Sequence, residues 1–440
     1  MKKIQSWGKF PKTKHSACNF VWRNGMLPQP ARDHGTILPF GNGRSYGDSC
    51  LNHNETLVLT RKLNHFISFD PSSGILCCES GLLLSEILRL IIPQGWFLPV
   101  TPGTKLVTLG GAIANDVHGK NHHNAGTFGC HVIEFELLRS DKGRLICSPR
   151  SNKDLFSATI GGLGLTGIIT WAKLRLLRIS NPFMEIENIQ YTNLNEFFDL
   201  SHDSNDDYTY TVSWLDCMAK GKSLGRGIFS RANHAAPCLD KTPSTPCDKT
   251  INFPIDAPQF LLNRFTVKTF NQLYYHKQLK PAKQKKGYFD PFFYPLDSIH
   301  NWNRLYGKAG FMQYQCLIPF EDGNKSLESM LKLIASSGYG SFLAVLKTFS
   351  DIKSPGMMSF PKKGVTLALD FPNHGQNIFT LLDKLDCIVR DSGGSVYPAK
   401  DARMSSCSFQ HYFPQWQEFQ NYIDPIFSSS FWRRVTGELS

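Results

Sequence analysis

Apolar and polar positions follow two different periods in the first 180 residues. Residues 84–92 place leucine and isoleucine at helical spacing up to Pro93, which predicts an amphipathic helix. Short apolar runs between glycines and polar turns predict strands at 57–59, 77–80, 133–139, 145–147 and 168–178, with a hairpin turn at 141–144. This alternation of strands and helix is typical of an α/β unit.

The pattern changes after Pro182, where aromatic residues become frequent. Residues 203–207 form an acidic stretch that predicts a solvated turn. Residues 235–258 are rich in proline, threonine and cysteine and predict a loop, and residues 277–286 carry five lysines in ten positions. We interpret the last two segments as mobile excursions of a second domain that begins near residue 181.

The chain has 440 residues, enough for two domains. Its 48 Lys and Arg outnumber its 36 Asp and Glu, and the formal charge of +12 favours anionic partners such as phosphorylated ligands, an acidic membrane surface or nucleic acid. No run has the roughly 20 apolar residues of a transmembrane helix, and no apolar stretch follows the basic N-terminus as in a signal peptide. We expect a location in the cytoplasm or peripheral to the inner membrane.

Cysteine and histidine spacing gives little support for a metal site. The 12 cysteines show no Cys-x-x-Cys or Cys/His metal spacing, which favours reduced thiols over a disulfide framework. His118, His122 and His123 lie close together, but no Glu stands at a zincin position and Gly119 weakens the helix that such sites need. We therefore expect no metal.

Three glycine-rich segments are candidate ligand-binding loops. Gly41-Asn42-Gly43-Arg44-Ser45-Tyr46-Gly47-Asp48 follows an apolar run, so its backbone N–H groups can approach a phosphate; a plain turn is the alternative. The small residues within 99–123 allow close approach of a flat, phosphate-bearing ligand. Residues 162–167 read G-x-G-x-x-G, but a predicted helix at 154–159 precedes them and a strand follows, which disfavours a nicotinamide site and favours a tight turn.

Taken together, these segments resemble the FAD-dependent decaprenylphosphoryl-β-D-ribose 2′-oxidase family. The similarity extends along nearly the whole chain and is carried by Gly43-Arg44-Ser45-Tyr46-Gly47-Asp48, Thr101-Pro102-Gly103-Thr104, Gly110-Gly111-Ala112-Ile113, His118-Gly119-Lys120-Asn121-His122-His123, Gly164-Leu165-Thr166-Gly167-Ile168, Phe311-Met312-Gln313-Tyr314-Gln315, Asp370-Phe371-Pro372 and Ala399-Lys400-Asp401.

The resemblance implies an α+β, two-domain FAD-linked oxidase fold of the vanillyl-alcohol oxidase type. An α/β FAD domain would comprise residues 1–180 completed by 395–440, around an antiparallel-sheet substrate domain at 181–394. FAD would bind non-covalently, because Arg44 stands where many relatives of the wider fold carry a flavin-linked histidine. The implied cofactor-binding residues are Gly41, Gly43, Arg44, Ser45, Tyr46, Gly47, Asp48, Gly103, Thr108, Gly110, Gly111, Asn115, His118, Ile168 and Tyr397.

The resemblance also implies catalytic and substrate-binding residues. Alcohol oxidation by a flavin needs a group that orients the hydroxyl and a cation near the reduced ring, and Lys400 matches the family's essential lysine. Tyr46 is the second catalytic candidate, because its phenol could hydrogen-bond Lys400 or support the flavin. The implied substrate pocket consists of His118, Lys120, Trp214, Arg304, Gln315, Lys347 and Ala368. From residue type alone, a surface lysine, an aromatic plug and a salt-bridged arginine are the alternatives for Lys400, Tyr46 and Arg304.

One position departs from the family pattern. The best-known members carry a cysteine where this chain has Ala368, within Gly364-Val365-Thr366-Leu367-Ala368-Leu369-Asp370. We therefore predict that thiol-directed nitroaromatic inactivators of the family fail here. The departure also leaves the identity of the sugar open.

The function implied by the resemblance is oxidation of the 2′-hydroxyl of a polyprenyl-phosphoryl-β-D-ribose to a ketone. A separate NAD(P)H-dependent reductase would complete the epimerisation to arabinose, an arabinan precursor for the cell wall. The basic 277–286 segment fits peripheral membrane association, and equally a solvated loop. A soluble sugar, alditol or aldonolactone oxidase is the alternative; a nucleic-acid-binding protein is suggested by charge alone and lacks a base-reading module. A catalytically inactive partner subunit of the same fold is disfavoured by Lys400 and Tyr46.

Overall fold

The computed structural model describes residues 4–237 and 250–437. The strands in these residues are β1 Ser16–Asn19, β2 Ile37–Phe40, β3 Thr56–Leu59, β4 Phe66–Asp70, β5 Ile75–Glu79, β6 Trp96–Phe97, β7 Val132–Arg139, β8 Gly143–Cys147, β9 Ile168–Arg175, β10 Leu177–Arg178, β11 Phe183–Tyr191, β12 Tyr210–Leu215, β13 Gly227–His234, β14 Ile251–Asn252, β15 Ala282–Tyr288, β16 Ile299–His300, β17 Phe311–Ile318, β18 Ala344–Phe349, β19 Gly364–Pro372 and β20 Ser395–Val396. The helices are α1 Leu84–Ile91, α2 Leu109–Ala114, α3 His122–Ala125, α4 Lys153–Thr159, α5 Leu194–Asp203, α6 Arg264–His276, α7 Phe289–Phe293, α8 Phe320–Ser337, α9 Gln376–Asp391, α10 Ser406–Tyr412, α11 Trp416–Gln420 and α12 Ser430–Thr436.

Two sheets form the N-terminal part of the molecule. The first is parallel, in the order β1-β3-β2, and the second is antiparallel, in the order β4-β5-β9-β7-β8. Helix α1 buries Leu84, Ile87, Leu88 and Ile91 in the same hydrophobic cluster as the second sheet. Their i, i+3, i+4 spacing is the pattern that predicted this helix.

An eight-stranded sheet, in the order β15-β11-β13-β12-β18-β19-β17-β20, dominates the remainder. One face packs against α8 and α9, because Tyr314 and Cys316 of β17 and Leu367 of β19 share a core cluster with residues of these helices. Side chains alternate across a strand, so Gln313, Gln315 and Asp370 point to the opposite face. This opposite face carries the candidate site.

The C-terminal segment connects the large sheet to the N-terminal part. Strand β20 pairs with β17, and the chain then returns to β2, where Phe427 bridges Ile37. On α12, Arg434 forms ion pairs of 2.8 Å with both Asp48 and Asp401. The antiparallel sheets and mixed helices confirm the predicted α+β fold class, whereas the division of the chain near residue 180 stays a prediction.

The lysine-rich segment differs from its predicted form. We expected residues 277–286 to be a mobile loop, but β15 pairs with β11 over seven residues, from Phe183↔Tyr288 to Ile189↔Ala282. The prediction is wrong for residues 282–286, whereas residues 277–281 are outside the strand. Lysines are tolerated on an exposed edge strand and leave no apolar alternation to detect. Within the predicted loop at 235–258, residues 238–249 lie outside the described part of the chain, and residues 251–252 form the short strand β14.

The predicted strand at 168–178 is two strands in the structure. Strand β9 belongs to the five-stranded sheet, whereas β10 pairs with β6. The chain leaves the five-stranded sheet at Leu176, whose N–H donates to the carbonyl of Gly74 at 2.8 Å.

Within residues 4–237 and 250–437, no helix combines the length and apolarity needed to cross a bilayer.

Candidate active site

A large cavity lies between the glycine-rich loops and the open face of the eight-stranded sheet. Its volume is about 1630 Å³, whereas a typical small-molecule site occupies roughly 300–1,000 Å³. Its walls come from the loops after β2 and β6, from the turn before β9, and from β12, β17, β18 and β19. The cavity therefore has room for a dinucleotide and a second ligand together.

The loop after β2 forms one wall through residues 41–46. Gly43 has φ +59°, and a Cβ on Gly41 would lie 2.4 Å from Oγ1 of Thr108, so both positions favour glycine. The guanidinium carbon of Arg44 lies 4.2 Å from the centre of the Trp7 ring. A ligand can approach this glycine backbone closely, and the Arg44 guanidinium adds a neighbouring positive charge. Both features suit a phosphate-bearing ligand, as the sequence predicts.

Gly47 and Asp48 occupy a different environment from the rest of this loop. Neither lines the cavity: a Cβ on Gly47 would meet the carbonyl oxygen of Asp401 at 1.6 Å, and Asp48 is buried against Arg434. These two residues therefore fasten the loop to the C-terminal segment. The sequence analysis assigned both to cofactor binding, and the structure gives them no direct contact with the cavity.

The second glycine-rich loop forms the adjoining wall. Thr108 caps α2, its Oγ1 accepting from the N–H of Gly111 at 3.2 Å, and Asn115 donates to the carbonyl of Gly111 at 2.8 Å. A Cβ on Gly103 would meet no atom of the described residues within 4 Å, so this backbone is open to a ligand. Gly110, Ile168 and Tyr397 also line the cavity, and the Tyr397 hydroxyl donates to the carbonyl of Asn115 at 2.7 Å.

A buried hydroxyl group in the cavity wall supports the fit of these loops to FAD. Ser49 lines the cavity, and its buried hydroxyl oxygen has no hydrogen-bond partner among the residues that the structure describes. A buried polar atom without a partner costs free energy, which a bound polar ligand would recover. Together with the glycine walls and the cavity volume, this hydroxyl makes the site suitable for a dinucleotide.

Lys400 and Tyr46 meet where the loops face the sheet. The Lys400 ammonium nitrogen lies 3.9 Å from the centre of the Tyr46 ring. Burial lowers the pKa of Lys400 to about 7, while the carboxylate of Asp370 acts to raise it. Burial also raises the pKa of Tyr46 well above its ordinary value, so its phenol stays protonated. A neutral amine is therefore accessible near neutral pH at this point.

Asp370 is a site residue that the sequence analysis quoted but gave no role. Its Oδ1 accepts from the Gln313 amide at 2.5 Å across the β17–β19 pair, and burial raises its pKa to about 7. Gln313 also hydrogen-bonds Tyr46. The signal that could have found Asp370 is alternation, because it lies two residues from Ala368 and so shares its face.

His118 and Gln315 form a neutral pair beside Lys400. The Gln315 amide nitrogen lies 2.9 Å from Nε2 of His118 and donates to Thr366 Oγ1 at 3.2 Å. Burial, then the charges of Lys347, His122 and Lys400, lower the pKa of His118 well below its usual range. His118 is therefore a neutral acceptor at Nε2, and its buried Nδ1 has no partner within the described part of the chain.

Lys120 and Lys347 add two buried amines to the same region. Burial lowers the pKa of Lys120 to about 7 and that of Lys347 to about 8. The Lys120 ammonium donates to the Phe292 carbonyl, and Lys347 donates to that of Gly119 at 3.3 Å. Among the described residues that line the cavity, nine are Lys or Arg and two are acidic, so its interior favours anions.

The other predicted pocket residues all line the cavity, with different roles. Trp214 donates from Nε1 to the Phe342 carbonyl at 3.0 Å. The Arg304 guanidinium is bound to the carbonyls of Phe253 and Pro254, so it organises a loop as well as facing the cavity. Ala368 lies opposite Gln315 on β17 and Val345 on β18.

Asp116 is a structural residue near the site that sequence reasoning missed. It is buried with φ +40°, its Oδ2 accepts from Ser354 and Ser359 at 2.5 Å each, and its Oδ1 accepts from the Gly129 N–H at 2.8 Å. It therefore ties the loop after α2 to the segment before β19. No local sequence pattern predicts such a contact between distant segments.

Within the described residues, no group of three or more His, Cys, Asp or Glu is placed to hold a metal ion.

Comparison with known proteins gives the family context of this geometry. The family model described as "FAD binding domain" matches residues 29–149. The chain is 34% identical over 416 residues to the decaprenylphosphoryl-β-D-ribose oxidase of Mycolicibacterium smegmatis, covering 91% of this chain and 89% of that protein. It is 30% identical over 372 residues to an uncharacterised protein of Streptomyces coelicolor, covering 80% and 100%. It is 30% identical over 136 residues to the mitochondrial D-2-hydroxyglutarate dehydrogenase of Rattus norvegicus, covering 30% and 25%.

Proposed function

Because the chain belongs to the decaprenylphosphoryl-β-D-ribose oxidase family, we propose that it oxidises the 2′-hydroxyl of a polyprenyl-phosphoryl-β-D-ribose to a ketone. It is an FAD-dependent oxidoreductase. One observation favours this substrate over a soluble sugar, alditol or aldonolactone. The cavity joins the glycine-rich loops to Lys400 and continues into a cationic region that suits a phosphorylated sugar. A neutral alditol or aldonolactone lacks the negative charge that these cations complement.

FAD supplies a hydride acceptor for alcohol oxidation when it is bound. We assign proton removal to Lys400, whose lowered pKa provides a neutral amine that accepts the hydroxyl proton at Nζ. The Tyr46 ring supports the ammonium that results, and Asp370 stabilises its charge. Proton removal is thus assigned to Lys400 alone, and its two neighbours stabilise the charge that results.

We assign substrate orientation to the neutral and cationic groups on the sheet face. Gln315 and His118 offer a hydrogen-bonded pair to the sugar, and Lys120 and Lys347 complement an anionic phosphate. Arg44 supports non-covalent binding of FAD, because an arginine offers no nucleophilic ring nitrogen at that position. The FAD domain would comprise residues 1–180 with the 395–440 segment.

The product and the substrate suggest further partners. A ketone at C2′ would be reduced by a separate NAD(P)H-dependent reductase, which completes an epimerisation to arabinose. A lipid-linked substrate also requires access to a membrane, so the proposed location is the surface of the inner membrane or the adjacent cytoplasm. These proposals rest on the chemistry of the substrate.

Anaerobic absorption spectroscopy tests the proposal. Oxidised-flavin bands of the FAD-loaded protein should bleach when a prenyl-phosphoryl ribose is added. They should persist in Lys400→Ala and bleach normally in Lys384→Ala, a matched exposed lysine on α9. Bands that bleach with free alditols but not with the lipid-phosphate sugar would contradict the proposed substrate while leaving the flavin chemistry intact.

A further inference from the structure

An exposed apolar surface surrounds helix α6. Of the 14 large apolar side chains that are exposed in the described residues, eight fall within residues 251–279. We call six of them the α6 surface: Phe260, Leu261, Phe265, Phe270, Leu273 and Leu279. A soluble protein rarely leaves such a concentration of apolar side chains exposed without a partner.

Helix α6 buries only some of its apolar side chains. Val267, Asn271 and Tyr275 face the protein, whereas Phe265 is 77% exposed and Leu273 is 68% exposed. At about 100° per residue, Phe265 lies roughly 120° and Leu273 roughly 160° from the centre of the buried face, so both side chains point away from the protein. The α6 surface continues beyond both helix ends, through Phe260 before it and Leu279, 95% exposed, after it.

The α6 surface is continuous with the mouth of the candidate active site. Leu261 and Phe270 line the cavity, as do Leu262, Thr266 and Tyr274 from the same segment. An apolar chain that leaves the cavity on this side would therefore meet further apolar side chains.

Positive charge borders the same mouth. Residues 250–288 hold seven Lys or Arg and a single acidic residue, Asp256, which pairs with Lys9 at 2.6 Å. Lys277, Lys283 and Lys285 line the cavity. Burial lowers the pKa of Lys285, and the charges of Lys277 and Lys283 lower it further. Anions placed near these mutually repelling ammonium groups would be stabilised.

We propose that the α6 surface docks this protein on an anionic lipid bilayer, with the mouth of the active site facing the lipid. The proposal rests on the proposed function, because a polyprenyl substrate resides in a membrane. Apolar side chains beside lysines are the composition of a helix that lies in the membrane interface. Docking would let the sugar phosphate enter the cavity while the prenyl chain stays in an apolar medium.

Vesicle co-sedimentation of the FAD-loaded full chain tests the docking. Wild type should sediment with vesicles of phosphatidylcholine and phosphatidylglycerol more than with phosphatidylcholine alone. The triple variant Phe265→Ser/Leu273→Ser/Leu279→Ser and the double variant Lys268→Glu/Lys280→Glu should each weaken binding roughly tenfold or more. None of these five residues lines the cavity. Met26→Ser and Lys142→Glu/Lys325→Glu, at exposed positions elsewhere, should leave sedimentation unchanged.

Turnover of a short-chain, water-soluble prenyl-phosphoryl ribose separates this proposal from the proposed function. All variants should retain that turnover and bound FAD, which also shows that they fold. Wild type that oxidises the short substrate but stays in the supernatant overturns the docking alone. Sedimentation without turnover supports the docking and overturns the proposed substrate. Self-association that the serine variant abolishes, with vesicle binding unaltered, assigns the α6 surface to a second copy of the chain and overturns the proposal.

Discussion

The ammonium nitrogen of Lys400 lies 3.9 Å from the centre of the Tyr46 ring. A cation over an aromatic face is favoured most where water is excluded, so the ring holds the side chain in place without taking its proton. Because burial raises the pKa of Tyr46 well above its ordinary value, the phenol is not the base. The contact is thus with the ring face, whereas the sequence analysis considered a hydrogen bond from the hydroxyl.

The first prediction concerns the pH dependence of Lys400. Only its neutral amine accepts a proton, and its pKa is about 7, so kcat/KM should rise as pH increases through this value. Asp370 acts to raise that pKa, and Asp370→Asn should therefore move the rising limb to lower pH. Stopped-flow flavin reduction across the pH range measures both effects.

Lys400→Met provides the matching loss of function. We expect it to lower the reduction rate by roughly 10²–10⁴-fold, the usual contribution of a general base, with FAD still bound. An unchanged rate of flavin reduction in Lys400→Met would contradict the assigned roles. So would a pH profile of Asp370→Asn whose rising limb moves to higher pH.

The sequence predicted elements where the signal is local. The α1 spacing placed a helix at 84–92 and the structure has Leu84–Ile91, because its apolar residues follow one helical face. The family motifs placed Lys400, Tyr46 and most of the loop residues at one cavity. The roles of Gly47 and Asp48 could not be read locally, because they depend on Asp401 and Arg434, more than 350 residues away. The pairing of β15 was missed for a different reason, since its lysines resemble those of a solvated loop.

The second prediction separates glycines that shape the loop from those that face a ligand. Gly47→Ala should lower the melting temperature, because its Cβ would lie 1.6 Å from the backbone oxygen of Asp401. Gly103→Ala should leave the melting temperature of the FAD-free protein unchanged, because its Cβ would meet no atom within 4 Å in the part of the chain that the structure describes. The same substitution should weaken FAD binding. Differential scanning fluorimetry with and without FAD distinguishes them. Equal destabilisation of the FAD-free protein by both would contradict the geometry.

The third prediction concerns the ion pairs that fasten the C-terminal segment. Arg434→Met leaves the buried carboxylates of Asp48 and Asp401 without their shared cation, and we expect a loss of about 3–5 kcal/mol in unfolding free energy. Arg32→Met is the matched control, since Arg32 is 59% exposed and its pair with Glu55 should contribute about 0–1 kcal/mol. Urea unfolding measures both. A similar small effect for the two variants would show that the C-terminal segment is held by other contacts.

The last prediction concerns Ala368, which faces the cavity opposite Gln315. Wild type should resist covalent inactivation by thiol-directed nitroaromatic compounds, because Cys50, the cysteine among the described cavity-lining residues, has a pKa raised to about 12 by burial and hence little reactive thiolate. Ala368→Cys places a thiol opposite Val345 of the neighbouring strand β18, on the same face as Lys347 two residues further along that strand, and should make the enzyme sensitive. Intact-protein mass spectrometry after turnover with such a compound detects the adduct. An adduct on wild type that maps to Cys50, or an Ala368→Cys variant that stays unmodified while remaining active, would show that the cavity does not present this position to the reagent.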